Sequence, residues 1–261
     1  MPVPLPILLY HSVDDDPPSW IAPFTVGTRA FREQLDRIVD AGRTPVGAGQ
    51  VLDALAGGPR LPENPVLITF DDGFEDFVHT ALPALAERDL PSTLFVTTGC
   101  LRPARDCLLP PARMLSAAQV LEVAAAGVEI GAHTHTHPQL DTVPRAAVRE
   151  ELVVGKDILE QTLGHDVDLL AYPHGYSDAR VRALTRETGY RGGFAIRNML
   201  SSERDDIFRV SRLTVRSDTP SRRVEAWARG EGARTAPARE SAATRGWRTY
   251  RRGRAVLRPK R

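Results

Sequence analysis

Apolar runs that alternate with helically spaced segments restrict this chain more than any other feature of its sequence. The runs are Ile7–Tyr10, "PVLITF" (65–70), "STLFVTT" (92–98), "VEIGAH" (128–133), "DLLAYP" (168–173), "GGFAI" (192–196) and "FRVSRLTV" (208–215). Between them, Phe31, Leu35, Ile38 and Val39 share one helical face ended by Gly42. Further helical patterns cover 77–87, 116–127, 145–163 and 178–188. Ser116 suits an N-cap and Gly127 a C-terminal stop. Repeated β-then-α units imply a single α/β domain with a mostly parallel sheet or barrel and helices outside. "PVLITF" does not alternate apolar with polar, as expected of a strand covered on both faces. Such folds bind ligands at the carboxyl ends of their strands.

At 261 residues, 42% hydrophobic and 26% charged, the chain can bury a sizeable core. Its net charge of +1 hides an asymmetry. Residues 232–261 carry ten Lys/Arg against Glu240 alone, while residues 1–231 hold 24 bases and 32 acids. The expectation is a folded domain over 1–231 and a basic, disordered tail over 232–261. Peripheral contact of that tail with a membrane or anionic polymer, through Trp247 and Tyr250, is the competing reading. Nothing supports specific nucleic-acid recognition. With no spanning apolar run and no signal-peptide pattern at the start, the expected location is cytoplasmic, the inner membrane surface included. Cys100 and Cys107 fit a disulfide or two free thiols equally well.

Four polar clusters directly follow apolar runs. "TFDDG" ends a strand in Asp71 and Asp72, two adjacent carboxylates that repel if buried without a cation. Because successive strand side chains diverge, one acid can serve a metal and the other a proton. An ordinary Asp-Asp-Gly turn is the simpler reading of that motif alone. "GAHTHTHPQL" places His133, His135 and His137 within five residues, a composition that suits a zinc-like ion. "LLAYPHGYSD" offers a rigid Pro-Gly loop, and "LLYHSV" puts His11 at a strand end. Together these are the parts for hydrolysis at a carbonyl by metal-activated water.

"TFDDG", then "HTHTH", then a Pro-containing loop resembles the polysaccharide deacetylases, the carbohydrate esterase family four or nodulation-protein B type, over roughly residues 5–230. The "AYPHG" motif is similar to the version in the poly-N-acetylglucosamine deacetylase subgroup, with His174 replacing a tyrosine. The resemblance implies an irregular (β/α) barrel that uses a divalent metal to remove acetyl groups from sugars. It implies Asp72, His133 and His137 as metal ligands and Asp71 as general base. Zinc is the expected ion, with nickel, cobalt or iron as alternatives. Thr134, Tyr172 and Pro173 would face substrate, and the residue-174 backbone N–H would meet the oxyanion. His135 receives no role. Ala171 replaces the arginine that many members use to hold the base, and Arg212 is the candidate substitute. No histidine follows His174, so the usual late general acid is missing, and His11 matches the early histidine of the subgroup. The expected substrate is an acetylated sugar or glycoconjugate, N-acetyl rather than O-acetyl. Hydrolysis of another non-peptide C–N bond, or a degenerate carbohydrate-binding protein, are the alternatives.

Overall fold

The computed structural model describes residues 4–103, 105–238 and 242–257. Strand β1 (Pro4–Leu5) leads into β2 (Ile7–Tyr10), followed by helix α1 (Thr28–Asp40). Next come β3 (Thr44–Pro45), α2 (Ala48–Leu55) and β4 (Pro65–Phe70). A π-helical turn (Phe77–Ala81) then continues as α3 (Leu82–Ala86). The alternation proceeds through β5 (Thr93–Val96), α4 (Ala117–Ala125), β6 (Glu129–Ala132) and α5 (Arg145–Leu163). It continues with β7 (Leu169–Ala171), α6 (Ala179–Glu187) and β8 (Gly192–Ile196). Then follow β9 (Ser201–Ser202), β10 (Val210–Thr214), α7 (Ser221–Ala228) and α8 (Ala242–Leu257).

The strands close in the order β2–β10–β8–β7–β6–β5–β4, with β4 returning to β2, so seven parallel strands form a barrel. β3 adds to the start of β4, and β1 pairs antiparallel with β9. This is the expected single-domain (β/α) barrel. Its strands are apolar on both faces because each face meets a different core. Val66, Ile68 and Phe70 of β4 point outward, into one cluster with Phe31 and Leu35 of α1 and with Phe77. Leu67 points inward, to Ile7, Phe95, Phe194 and Val210. The period of two therefore carries Thr69 and Asp71 to the inner side of β4 and Arg212 to the inner side of β10. Phe70 stacks edge-on against Phe77 at 4.9 Å. Truncating such a buried ring costs about 3–5 kcal/mol.

The helix caps follow the sequence where their chemistry is local. Ser116 accepts from the Gln119 N–H, and Gln119 answers with its side chain, forming a capping box on α4. Asp178 accepts from the Val181 N–H at 2.7 Å to start α6.

The expectation of an unpacked basic tail fails over 242–257. Those residues form α8, and their arginines reach back to the body. Arg251 grips both oxygens of Asp141 at 2.8 and 2.6 Å, and Arg252 pairs with Asp178. Arg251 also lies 3.4 Å from the centre of the Tyr176 ring. Asp141 and Asp178 are themselves buried, so the arginines neutralise charge that has little access to water. Composition sees the excess of arginine and cannot see its partners.

Cys100 and Cys107 form a disulfide, which resolves the pairing the sequence left open. Among the described residues, no helix is long and apolar enough to cross a membrane.

After β2 the chain is held by Asp76, whose carboxylate accepts from the Ser12 hydroxyl and the Val13 N–H, both at 2.9 Å. Burial nonetheless pushes the Asp76 pKa up from 3.8 to about 6. An acid whose pKa is raised by folding stabilises the native state below its unfolded pKa and loses that stabilisation as pH rises through the folded value. Urea unfolding should therefore show wild type losing up to ~3 kcal/mol relative to Asp76→Asn between pH 4 and pH 7. A pH-independent difference between the two proteins would contradict this.

Candidate active site

The four polar clusters meet at the carboxyl end of the barrel. His11 follows β2, Asp71 and Asp72 follow β4, His133 follows β6, and the Pro173–Gly175 turn follows β7. A cleft of 1270 Å³ opens over them, lined by His11, Asp71, Asp72, His133, His137 and His174 among others.

Asp71 and Arg212 form the floor. Arg212 is fully buried and donates from Nη1 to Asp71 Oδ1 at 2.7 Å and from Nη2 to Oδ2 at 2.8 Å. Nη1 also donates to Thr69 Oγ1 at 3.2 Å, and the guanidinium lies 5.4 Å from the Phe95 ring centre. Burial by itself raises the Asp71 pKa, but the Arg212 charge and its hydrogen bonds outweigh it and hold the acid below its usual range. Asp71 therefore stays ionised at neutral pH.

Asp72 lies beside it and serves a different group. Its φ of +75° turns the chain out of the strand, so its carboxylate diverges from that of Asp71. Asp72 Oδ1 is buried and has no hydrogen-bond partner, while His137 Nε2 lies 3.2 Å and His133 Nε2 3.5 Å from it. His133 Nδ1 donates to the Ala171 carbonyl at 2.8 Å, which leaves the Nε2 lone pair facing Asp72. Burial lowers the His133 pKa to about 4, so the ring is neutral. Ligand atoms of Asp72, His133 and His137 all lie within 4.8 Å of one another. A carboxylate oxygen without a donor, faced by two imidazole nitrogens, is what a divalent cation requires. The donor set fits a metal ion.

The "HTHTH" segment is clamped from outside the cleft. Glu151 of α5 accepts from the His135 and Thr136 N–H groups at 3.0 and 2.7 Å. α5 can approach this closely only because residue 155 is glycine: a Cβ there would sit 2.9 Å from the Thr134 carbonyl carbon. His135 points away from Asp72, His133 and His137 and hydrogen-bonds Thr98 at 2.9 Å.

The substrate-facing expectations for Thr134, Tyr172 and Pro173 need correction, because none of the three lines the cleft. The Thr134 hydroxyl is buried and accepts from the His137 N–H at 3.2 Å, shaping the turn between the two histidines. Tyr172 is buried and its hydroxyl donates to the Phe208 carbonyl at 3.0 Å. Pro173 is buried under the turn. The side chain that faces the cleft is instead Tyr176, with His174, whose ring lies 4.7 Å from that of His137. Gly175 lets this turn press onto β8, where a Cβ would meet Ile196 N at 2.3 Å.

His11 stands on the opposite wall, its ring 5.3 Å from that of Phe24. Its Nδ1 is buried without a partner. Burial lowers its pKa, and the nearby Asp72 and Asp71 oppose that shift. Sequence reading missed the apolar rim: Trp20, Ile21, Phe24, Leu108 and Leu109. The cysteine pair was the available signal, since Cys100 packs with Ile21, Phe74, Leu109 and Met114 in one cluster that shapes this rim.

The sequence pattern described as Polysaccharide deacetylase matches residues 58–193. The chain belongs to this family. The match includes Asp71, Asp72, His133, His137 and His174, but neither His11 nor Arg212. The solved structure of IcaB from Ammonifex degensii is 28% identical, with a TM-score of 0.75 over 87% of this chain and 97% of that one. The Streptococcus pyogenes deacetylase PplD in complex with acetate is 25% identical, with a TM-score of 0.75 over 85% of this chain and 96% of that one. The poly-beta-1,6-N-acetyl-D-glucosamine N-deacetylase of Escherichia coli (strain K12) is 37% identical over 76 residues, 29% of this chain and 11% of the relative's own length.

Replacing Arg212 by Met would leave the Asp71 carboxylate buried and unpaired. The expected cost is about 3–5 kcal/mol in urea unfolding, partly recovered in the Asp71→Asn/Arg212→Met double variant. Equal stability of Arg212→Met and wild type would refute the pairing.

Proposed function

We propose that this polysaccharide deacetylase removes the acetyl group from an N-acetylated sugar residue of a glycan with the help of a divalent metal, zinc in the first instance. The observation that carries the reading is the unpartnered Asp72 oxygen facing the Nε2 atoms of His133 and His137, directly beside an ionised Asp71 held by Arg212. The relative named for poly-N-acetylglucosamine supports an acetamido substrate.

Asp72, His133 and His137 would hold the ion, which polarises water and carbonyl oxygen when bound. Asp71 accepts the proton of the attacking water. Arg212 holds both of its oxygens, which fixes the carboxylate plane and keeps the base ionised. The backbone N–H of residue 174 is assigned to the oxygen that becomes negative as water adds to the acetyl carbon. Collapse of the adduct breaks the C–N bond. His11, neutral at rest because burial lowers its pKa, relays the proton to the departing nitrogen. Acetate and a free amino sugar leave.

The disulfide also bears on the setting. Such bonds persist in oxidising compartments. It supports a glycan outside the cytoplasm in place of the cytoplasmic location expected from the sequence.

Acetate release from N-acetylglucosamine oligomers tests this reading. Chelator and Asp72→Ala should both abolish turnover, and metal analysis should find no bound ion in the variant. His11→Ala should keep the metal and lose ~10²–10⁴-fold in kcat, the usual worth of a positioned proton donor. Full activity in metal-free protein would sink the metal role, and an unchanged kcat in His11→Ala would sink the proton relay.

A further inference from the structure

No hydrogen bond at Nδ1 sets the direction of the His11 ring: that atom is buried without a partner, and the ring packs beside Phe24 at 5.3 Å. Such a proton donor takes its aim from the backbone that carries it. The ladders on either side of β2 stop short of it. Their last backbone bonds run from the Asp71 N–H to the Tyr10 carbonyl at 3.0 Å and from the Val215 N–H to the Leu9 carbonyl at 2.8 Å. His11 is the first residue beyond both.

Asp76 holds the chain from there on. Its Oδ2 accepts from the Ser12 hydroxyl and its Oδ1 from the Val13 N–H, so both carboxylate oxygens serve the two residues that follow His11. The Ser12 carbonyl accepts in turn from the Val26 N–H at 3.0 Å, which ties Ser12 to the segment carrying Phe24. Phe24 is itself pinned by Arg216, whose guanidinium carbon lies 4.7 Å from its ring centre.

Asp76 forgoes the more ordinary use of an acid at its position. It stands at the start of the π-helical turn Phe77–Ala81, yet its side chain caps none of that turn's N–H groups. Burial raises its pKa, so the ionised carboxylate costs stability at neutral pH. A group kept at such a cost points to function. Asp76 does not line the cleft, so that function is exerted through its partners. It also follows closely on Asp71 and Asp72, so one short segment carries both acids of the site and the clamp on the wall opposite them.

We propose that Asp76 is a positioning residue for proton transfer: by holding Ser12 and Val13 it fixes the backbone of His11 and aims the imidazole at the departing nitrogen. Asp76 touches no substrate itself. The proton transfer rests on the deacetylase reading; the clamp on the His11 segment does not.

Turnover of the full, metal-loaded chain on two substrates separates aim from architecture. An N-acetylglucosamine oligomer has an amine leaving group that needs a proton, whereas p-nitrophenyl acetate releases a phenolate that does not. Asp76→Ala should lower kcat on the oligomer about ten- to hundredfold with KM little changed, and should raise the ratio of ester to oligomer turnover, as His11→Ala does. The double variant His11→Ala/Asp76→Ala should be no slower on the oligomer than His11→Ala. Asp76→Asn, whose amide can accept from the Val13 N–H and donate to the Ser12 hydroxyl, should recover most of the loss. Ser12→Ala, which removes one of the two hydrogen bonds, should move the same ratio by less and replaces Asp76→Ala if that variant does not fold. An equal loss on both substrates overturns the proposal, as do additive effects of the His11 and Asp76 substitutions. In histidine-labelled protein the His11 ring resonance, identified by its absence in His11→Ala, should move in Asp76→Ala and hold its place in Asp76→Asn. A moved resonance in a chain that releases no acetate from any oligomer keeps the clamp and removes the deacetylase reading; acetate release with an unmoved resonance does the reverse.

Discussion

The ion pair between Arg212 and Asp71 is the constraint on which the rest of the site depends. Two full charges lie inside the barrel, out of reach of water, and each is tolerable only because the other is present. Thr69 extends the network, accepting from Arg212 and donating to the Leu8 carbonyl at 2.9 Å. Strands β4, β2 and β10, which are neighbours only because the barrel closes, are thereby joined by side chains as well as by their backbone ladders. Closure brings His11 and Arg212, from the two ends of the domain, to the two acids near its middle. Loss of the arginine would therefore affect charge, strand closure and the cleft wall together.

The site also concentrates unusual backbone. Of seven non-glycine residues with positive φ among the described residues, Asp72, Thr134, His137 and His174 lie in or beside it. Side chains disfavour that region by roughly 1–2 kcal/mol per residue. Surrounding contacts hold the turns in place: Glu151 and Gly155 brace the histidine segment, and Ile196 packs under Gly175. Asp71 can face Arg212 while Asp72 faces two imidazoles because the chain bends sharply between them. The strain is stored where two adjacent acids must serve different groups.

Much of the barrel was legible because its signals are local. The apolar runs, the helical spacing and the Ser116 cap follow from nearest-neighbour chemistry. The strand-end rule by itself puts every polar cluster on one face. Helices α2 and α7 fell outside that reading, being short segments of eight residues each that are held by tertiary packing. The inward roles expected of Thr134, Tyr172 and Pro173 failed for a related reason. A motif shows which residues are near a site, whereas a rotation of the backbone decides which of them face it. The disordered tail failed because charge composition cannot register buried partners more than 60 residues away.

By itself the sequence determined an α/β chain with parallel strands, a DDG–HTHTH–YPHG series at strand ends, and a carboxylate with two histidines suited to a metal. Those features follow from periodicity and residue chemistry over short spans. Tertiary structure alone decided that Arg212 grips Asp71 with both nitrogens, that Tyr176 faces the cleft where Tyr172 does not, and that α8 docks beside it. Each of these depends on side chains far apart in sequence meeting at a particular angle, and barrel closure is what sets that angle.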